Sequence, residues 1–230
     1  EFVSRRWIDS DFIGGMRLLK QLTRRFSAEF AIRAFIIADT RQAMAFILDW
    51  TNDSNEHVRR LASEGTRPRL PWGQQLPMYI EDPVPLTPIL KSLMDDESEY
   101  VRRSVANNLN DIAKDNPGFV IEFVRANFSN ASQERLRLFK HACRSLIKKG
   151  DRDTLALFGY QPFQGQVRIT HMPKDVKWGE KLEFEVEIES GLTHSQNLML
   201  DFVIWHQKAN GKLTPKVFKW KVIDAFFGKS

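Results

Sequence analysis

The stretch Asn55-Glu56-His57-Val58-Arg59-Arg60 returns 43 residues later as Ser98-Glu99-Tyr100-Val101-Arg102-Arg103. A weaker echo follows at Ser132-Gln133-Glu134-Arg135-Leu136-Arg137. A period of roughly 40 to 47 residues built on paired helices is the signature of HEAT or armadillo repeats. One such pair cannot bury its apolar side alone, so successive pairs stack into a curved solenoid with a concave face. The second helix of each pair often lines that face. Arg59, Arg60, Arg102 and Arg103 are then either bonds between repeats or ligand contacts.

Working outward, residues 1–160 read as helices. Apolar residues recur at spacings of three and four, as in Phe30, Ala34, Ile37 and in Val101, Val105, Leu109, Ile112. Short polar breaks separate the helices, and Ser54, Ser98 and Ser132 are expected N-caps. From residue 161 the period changes to two. Leu182 to Glu189 alternates apolar residues with Glu, and Val167 to Thr170, Leu198 to Trp205 and Val217 to Val222 read as further strands. Asn210-Gly211 is a hairpin-turn signal, and the tail from Ile223 is expected to lie outside the strand pattern. The expected architecture is mostly α: a HEAT-like solenoid over 1–160, then a small immunoglobulin-like β-sandwich over 161–230. Four strands are fewer than a full sandwich uses, so a truncated one is expected.

Composition bounds the chemistry. The 230 residues are 42% hydrophobic and 27% charged, with a net charge of +5. No apolar run is long enough to span a bilayer. Glu1 to Arg6 do not look like a signal peptide, and the chain lacks an initiator methionine, as a fragment or a processed product would. The single cysteine, Cys143, excludes an internal disulfide and suits a reducing, cytoplasmic compartment. It reads as a buried structural thiol. The five histidines show no metal-ligand spacing, and no phosphate loop or dinucleotide fingerprint is present, so neither metal nor cofactor is expected. Residues 125–152 hold eight Lys or Arg against Glu134 and Asp151. Such a run is either a solvated face or a surface that tracks phosphates.

One stretch breaks the repeat. Leu61-Ala62-Ser63-Glu64-Gly65-Thr66-Arg67-Pro68-Arg69-Leu70-Pro71-Trp72 carries a helix into a rigid loop, and six of the ten prolines fall between Pro68 and Pro88. The loop either serves a site or is a plain connection with Trp72 tucked into the core. By repeat alignment Glu64 matches Asn107, and Asp111 lies one turn further on, so Glu64 and Asp111 can converge on one surface. Carboxylates beside a basic groove are costly unless they serve something cationic.

The run Arg59 to Trp72, with Tyr100-Val101-Arg102-Arg103-Ser104-Val105-Ala106-Asn107-Asn108-Leu109-Asn110-Asp111, resembles the HEAT-repeat DNA glycosylases of the AlkC type. Lys208 to Lys212 and Pro215 to Lys221 are similar to the immunoglobulin-like domain that some members carry. The resemblance departs at both ends, where relatives have helices before residue 1 and a sandwich continuing past Lys221. It implies excision of 3-methyladenine and 3-methylcytosine from double-stranded DNA by a cytoplasmic monomer, without base flipping. It places Glu64 and Asp111 beside the damaged nucleotide, Trp72 against the cationic base or its sugar, and Glu29 as a further carboxylate. Arg67, Arg69, Arg102, Arg103, Lys140 and Arg144 would hold phosphates, with Arg59 and Arg60 as further DNA contacts. Lys208, Lys212 and Lys216 would grip the opposite DNA face. An N3-alkylated base is already a good leaving group. The enzyme then needs to stabilise an oxocarbenium-like sugar and aim a water, which carboxylates do. No lysine sits in these motifs, so a hydrolase without lyase activity is expected. The rival expectations are a non-catalytic repeat scaffold for protein and a DNA binder that has lost catalysis.

Overall fold

The computed structural model describes residues 2–226 and 228. The chain divides into two compact units, with the break between Lys149 and Gly150. The first unit contains α1 (Phe2–Trp7), α2 (Phe12–Thr23), α3 (Ala31–Ala38), α4 (Thr40–Trp50), α5 (Glu56–Glu64), α6 (Pro77–Glu81), a 3-10 turn at Val84–Leu86, α7 (Thr87–Leu93), α8 (Glu99–Ile112), α9 (Pro117–Ala126), α10 (Gln133–Ala142) and α11 (Arg144–Lys149). Helix α5 packs on α8 and α8 on α10, while α4 meets α7. This is the layering of HEAT-like repeats, and the second helix of each pair forms one continuous stack.

The repeated motif is a hydrogen-bonded frame. Arg59 Nη1 donates to the carbonyls of Asp53 and Ser54 at 2.9 and 3.2 Å. Arg102 Nη1, one repeat on, donates to the carbonyls of Asp96 and Glu97 at 2.5 and 2.9 Å. Asp53 accepts from the Asn55 amide and Asp96 from the Ser98 amide, both at 2.9 Å. The capping differs from the sequence reading. Asn55, not Ser54, caps α5 by accepting from the His57 amide at 3.0 Å. Ser98 stands at the N-cap of α8 but sends its hydroxyl across to Glu56. Ser132 caps α10 as expected, accepting from the Arg135 amide. Apolar spacing then buries Val58, Leu61 and Ala62 of α5 against Val101, Val105 and Leu109 of α8. Cys143 is fully buried at the end of α10.

The second unit contains the short helix α12 (Arg152–Leu157) and four strands, β1 (Gly165–His171), β2 (Glu185–Ser190), β3 (Gln196–Gln207) and β4 (Leu213–Phe226). Two antiparallel pairs form, β1 with β2 and β3 with β4. Lys208 and Lys212 close the second hairpin around Gly211, whose φ of 77° needs glycine. The tail does not leave the strand pattern: β4 runs on to Phe226, which pairs with Gln196 and is buried with Ile188 and Leu198. Register shifts near Leu198 and Asp201 carry the long strand round to that contact and blur its period. A small immunoglobulin-like β unit results. Its four strands leave an apolar cleft of about 570 Å³, lined by Val167, Ile169, Phe184, Phe202 and Trp220 among others.

Candidate active site

Helix α5 ends where Gly65 meets α3. A Cβ on Gly65 would lie 2.6 Å from Ile32 Cγ2, so only glycine lets the chain pass and turn into the following loop. That loop is held by Arg33 of α3, which is fully buried. Its guanidinium donates to the carbonyls of Gly65 at 3.1 Å, Arg67 at 2.8 Å, Pro68 at 3.4 Å and also Gln74. Burial, then the charge of Arg67, lowers the Arg33 pKa to about 10, against the opposing pull of Asp111 and Glu64. It still carries its charge at neutral pH. Sequence reasoning missed Arg33. The available signal was a lone cation inside the apolar run Ala31 to Ala38.

The clamp sets Arg67 between two carboxylates. Arg67 Nη1 meets Glu64 Oε1 at 2.6 Å and Arg67 Nε meets Asp111 Oδ2 at 2.7 Å. Ser104 Oγ donates to the other Glu64 oxygen at 2.6 Å. Arg60 reaches Glu64 at 3.6 Å and Glu29 at 3.1 Å, with its guanidinium 4.7 Å above the Tyr100 ring. Lys114 Nζ closes the far end at 2.7 Å from Asp111 Oδ1. The result is one chain of alternating charge: Glu29, Arg60, Glu64, Arg67, Asp111, Lys114. Glu64 is 5% exposed and Asp111 1%. Carboxylates this deep call for paired cations, and Arg67 lies between the two. Burial opposes the charge on Arg67, but the Asp111 hydrogen bond and both carboxylates outweigh it and raise its pKa. Each Asp111 oxygen accepts one of the two hydrogen bonds it can take, so the group keeps capacity for a water.

Trp72 does not enter the core. It is 100% exposed at φ 64°, a left-handed conformation that costs a bulky residue of order 1–3 kcal/mol. A strained, fully solvated indole makes no packing contribution. The sequence-expected carboxylates Glu29, Glu64 and Asp111 are therefore brought into one connected network, and Trp72 is presented at the surface of the clamped loop.

The expected phosphate ligands divide. Arg59 is spent on the frame and on a bidentate pair with Asp96 at 2.6 and 3.0 Å, so it is a bond between repeats and not a surface cation. Arg67 is corrected in the same way: buried between carboxylates, it bridges the site. Arg69 forks onto Asp115 at 2.6 and 2.8 Å. Arg144 donates to Asn107 at 3.2 Å and to the His141 carbonyl. Arg103 pairs with Glu99 on the surface, and Lys140, Lys208, Lys212 and Lys216 are exposed. The basic run is less free than its count implies, since Arg125 pairs with Glu122 and Arg135 with Asp95. The two motifs hold no lysine, but Lys114, three residues beyond Asp111, stands at the site. Among the described residues no group of His, Cys, Asp and Glu could hold a metal ion, and no helix is long and apolar enough to cross a membrane.

A fold of stacked HEAT-like pairs with carboxylates bridged by arginine defines a class, and comparison names it: the chain belongs to the DNA alkylation repair enzyme family, whose model matches residues 26–146. Residues 166–229 match the C-terminal Ig-like domain of the uncharacterised protein YhaZ. YhaZ of Bacillus subtilis strain 168 is 44% identical over 206 residues, 89% of this chain and 57% of its own length. The solved alkylpurine DNA glycosylase AlkC of Pseudomonas fluorescens, bound to DNA containing an abasic site analog, is 39% identical with a TM-score of 0.91. That likeness covers 100% of this chain and 64% of the solved one. The chain thus spans less than two thirds of the length of either relative.

Proposed function

We propose that the protein is a DNA glycosylase that hydrolyses the N-glycosidic bond of cationic alkylated bases, 3-methyladenine and 3-methylcytosine, in double-stranded DNA. The observation that carries this reading is the Arg67-bridged pair Glu64 and Asp111 below a loop that exposes Trp72. The reaction needs a negative field where positive charge develops on the sugar, and a carboxylate oxygen with an unused lone pair to orient a water. Glu64 and Asp111 supply the first, and Asp111 supplies the second. The indole face attracts a cationic base by roughly 0.5–2 kcal/mol, enough to favour alkylated over neutral bases. The solvated setting of Trp72 suits a base read in place better than one flipped into a deep pocket. Lys114 Nζ is paired with Asp111 at 2.7 Å. An amine engaged by a carboxylate is not free to attack the sugar, which favours hydrolysis alone. Arg69, Arg102, Arg103, Lys140 and Arg144 are the phosphate ligands of this reading, joined by Lys208, Lys212 and Lys216 from a β domain taken to begin at residue 161. The likeness to a glycosylase solved on DNA supports it.

The test is release of methylated bases from methylated DNA, followed by chromatography, for wild type beside Glu64→Gln and Asp111→Asn. Wild type should release 3-methyladenine or 3-methylcytosine, and both variants should bind DNA yet lose most of the rate, about 100-fold or more. Wild-type rates in both variants would remove the assignment. A folded wild type that binds DNA and releases nothing would favour the scaffold reading.

A further inference from the structure

A second polar notch lies beside the catalytic network, and the proposed chemistry does not use it. It measures about 240 Å³ and is lined by Thr23, Arg24, Arg25, Phe26, Ser27, His57, Arg60 and Tyr100. Three guanidiniums and an imidazole share its wall with two aromatic rings, and no carboxylate lines it. Helix α2 ends at Thr23, and the turn that follows, with Arg25 and Phe26 amides both bonded to the Leu22 carbonyl at 2.9 Å, pushes Arg25 and Phe26 outward. Arg24 reaches Asp53 only at 3.7 Å, and Arg25 has no counter-ion among the described residues. Phe26 is 84% exposed. Tyr100 forms the floor, edge-on to His57 with ring centroids 5.6 Å apart and beneath Arg60. Arg60 also donates to Ser27 at 3.3 Å and to Glu29, so the notch and the carboxylate chain share one side chain.

Arginines, one of them without a counter-ion among the described residues and one only loosely paired, interleaved with aromatic faces and with no acid in the lining, fit a phosphodiester with its base stacked alongside. We infer that this notch is a nucleotide subsite for the DNA residue flanking the lesion, with Arg24 and Arg25 on its phosphate and Phe26 against its base. The inference rests on the glycosylase reading and adds to it residues that position the strand. Sharing Arg60 gives the subsite a route to the chemistry: a nucleotide seated there fixes Arg60, and with it the Glu29–Glu64 end of the network.

The experiment uses the whole chain, wild type and the surface variants Arg25→Ala and Phe26→Ala, with fold checked by thermal melting. Binding to a duplex carrying an abasic-site analogue is measured across salt concentrations. Arg25→Ala should flatten the slope of log K against log salt by about one, and Phe26→Ala should weaken binding about tenfold with the slope retained. Replacing phosphates one at a time by uncharged methylphosphonate should weaken wild type at one position beside the lesion and leave Arg25→Ala indifferent there. If both variants bind with wild-type affinity and slope while wild type still releases bases, the two arginines only complement the negative end of α2 and the subsite is refuted. If wild type neither binds DNA nor releases a base, the glycosylase reading falls and takes the subsite with it.

Discussion

The repeats carried by α5 and α8 begin alike and end differently. Arg59 and Arg102 tie their turns through equivalent carbonyls, and Asp53 and Asp96 accept equivalent amides. At the next residue they part. Arg60 is drawn inward by Glu29, Glu64 and Tyr100, whereas Arg103 stays on the surface beside Glu99. The last turns differ most. Where α8 continues through Asn110, which ties the helix to the Ala142 carbonyl, the equivalent position beyond α5 is Arg67, which faces two carboxylates. Repetition serves stacking. The site forms where one copy gives up its repeat bond.

The largest effect should come from breaking that difference. Arg67→Met leaves Glu64 and Asp111 buried without the cation between them. It should cost about 3–5 kcal/mol, a fall in Tm of order 10 °C, whereas Asn110→Ala, its counterpart, should cost about 1–3 kcal/mol. Equal losses in chemical denaturation would mean that the two positions do the same work. Next, Gly65→Ala must push Ile32 away from a 2.6 Å contact. A loss of roughly 1–3 kcal/mol is expected, with a fall in base release because the clamped loop shifts. A variant of wild-type stability would show that the loop is set elsewhere. The shared frame gives a smaller and asymmetric pair. Arg59→Ala breaks a half-buried bidentate bond to Asp96, while Arg102→Ala loses only bonds to carbonyls, so the first should exceed the second by about 1–2 kcal/mol.

The smallest effect is one of pH. Burial tends to raise the Asp53 carboxyl, but bonds from Lys20 and the Asn55 amide outweigh it and hold its pKa below the ordinary value. A depressed carboxylate adds stability that is present above the unfolded pKa, about 3.9, and is lost as pH falls below it. Acid should therefore loosen the α5 frame as pH falls below about 4. Lys20→Met should shrink that loss, and an unchanged acid profile would sever the link to Asp53.

Much of this was legible in the residues. The frame repeats Asp and Arg at fixed spacing because carbonyl geometry demands it, so the 43-residue echo marked the stack. The change of period marked the β unit. Glu64 and Asp111 could be paired because the repeat registers their helices. Direction was not legible. Nothing in the sequence says that Arg67 points at carboxylates and not at solvent, since both suit an arginine. Arg33 was hidden because its partners are backbone carbonyls, which have no side-chain signature. The end of β4 was hidden by its register shifts.

A left-handed tryptophan in open water has a consequence for any attempt to engineer this protein. Selection for heat tolerance alone would relax the backbone at position 72, and Trp72→Gly is the substitution that does so most cheaply. Survivors of such a screen would be sturdier and, on the proposed reading, blind to the charge on the base. Thermal tolerance and the proposed discrimination would then draw on the same residue in opposite directions.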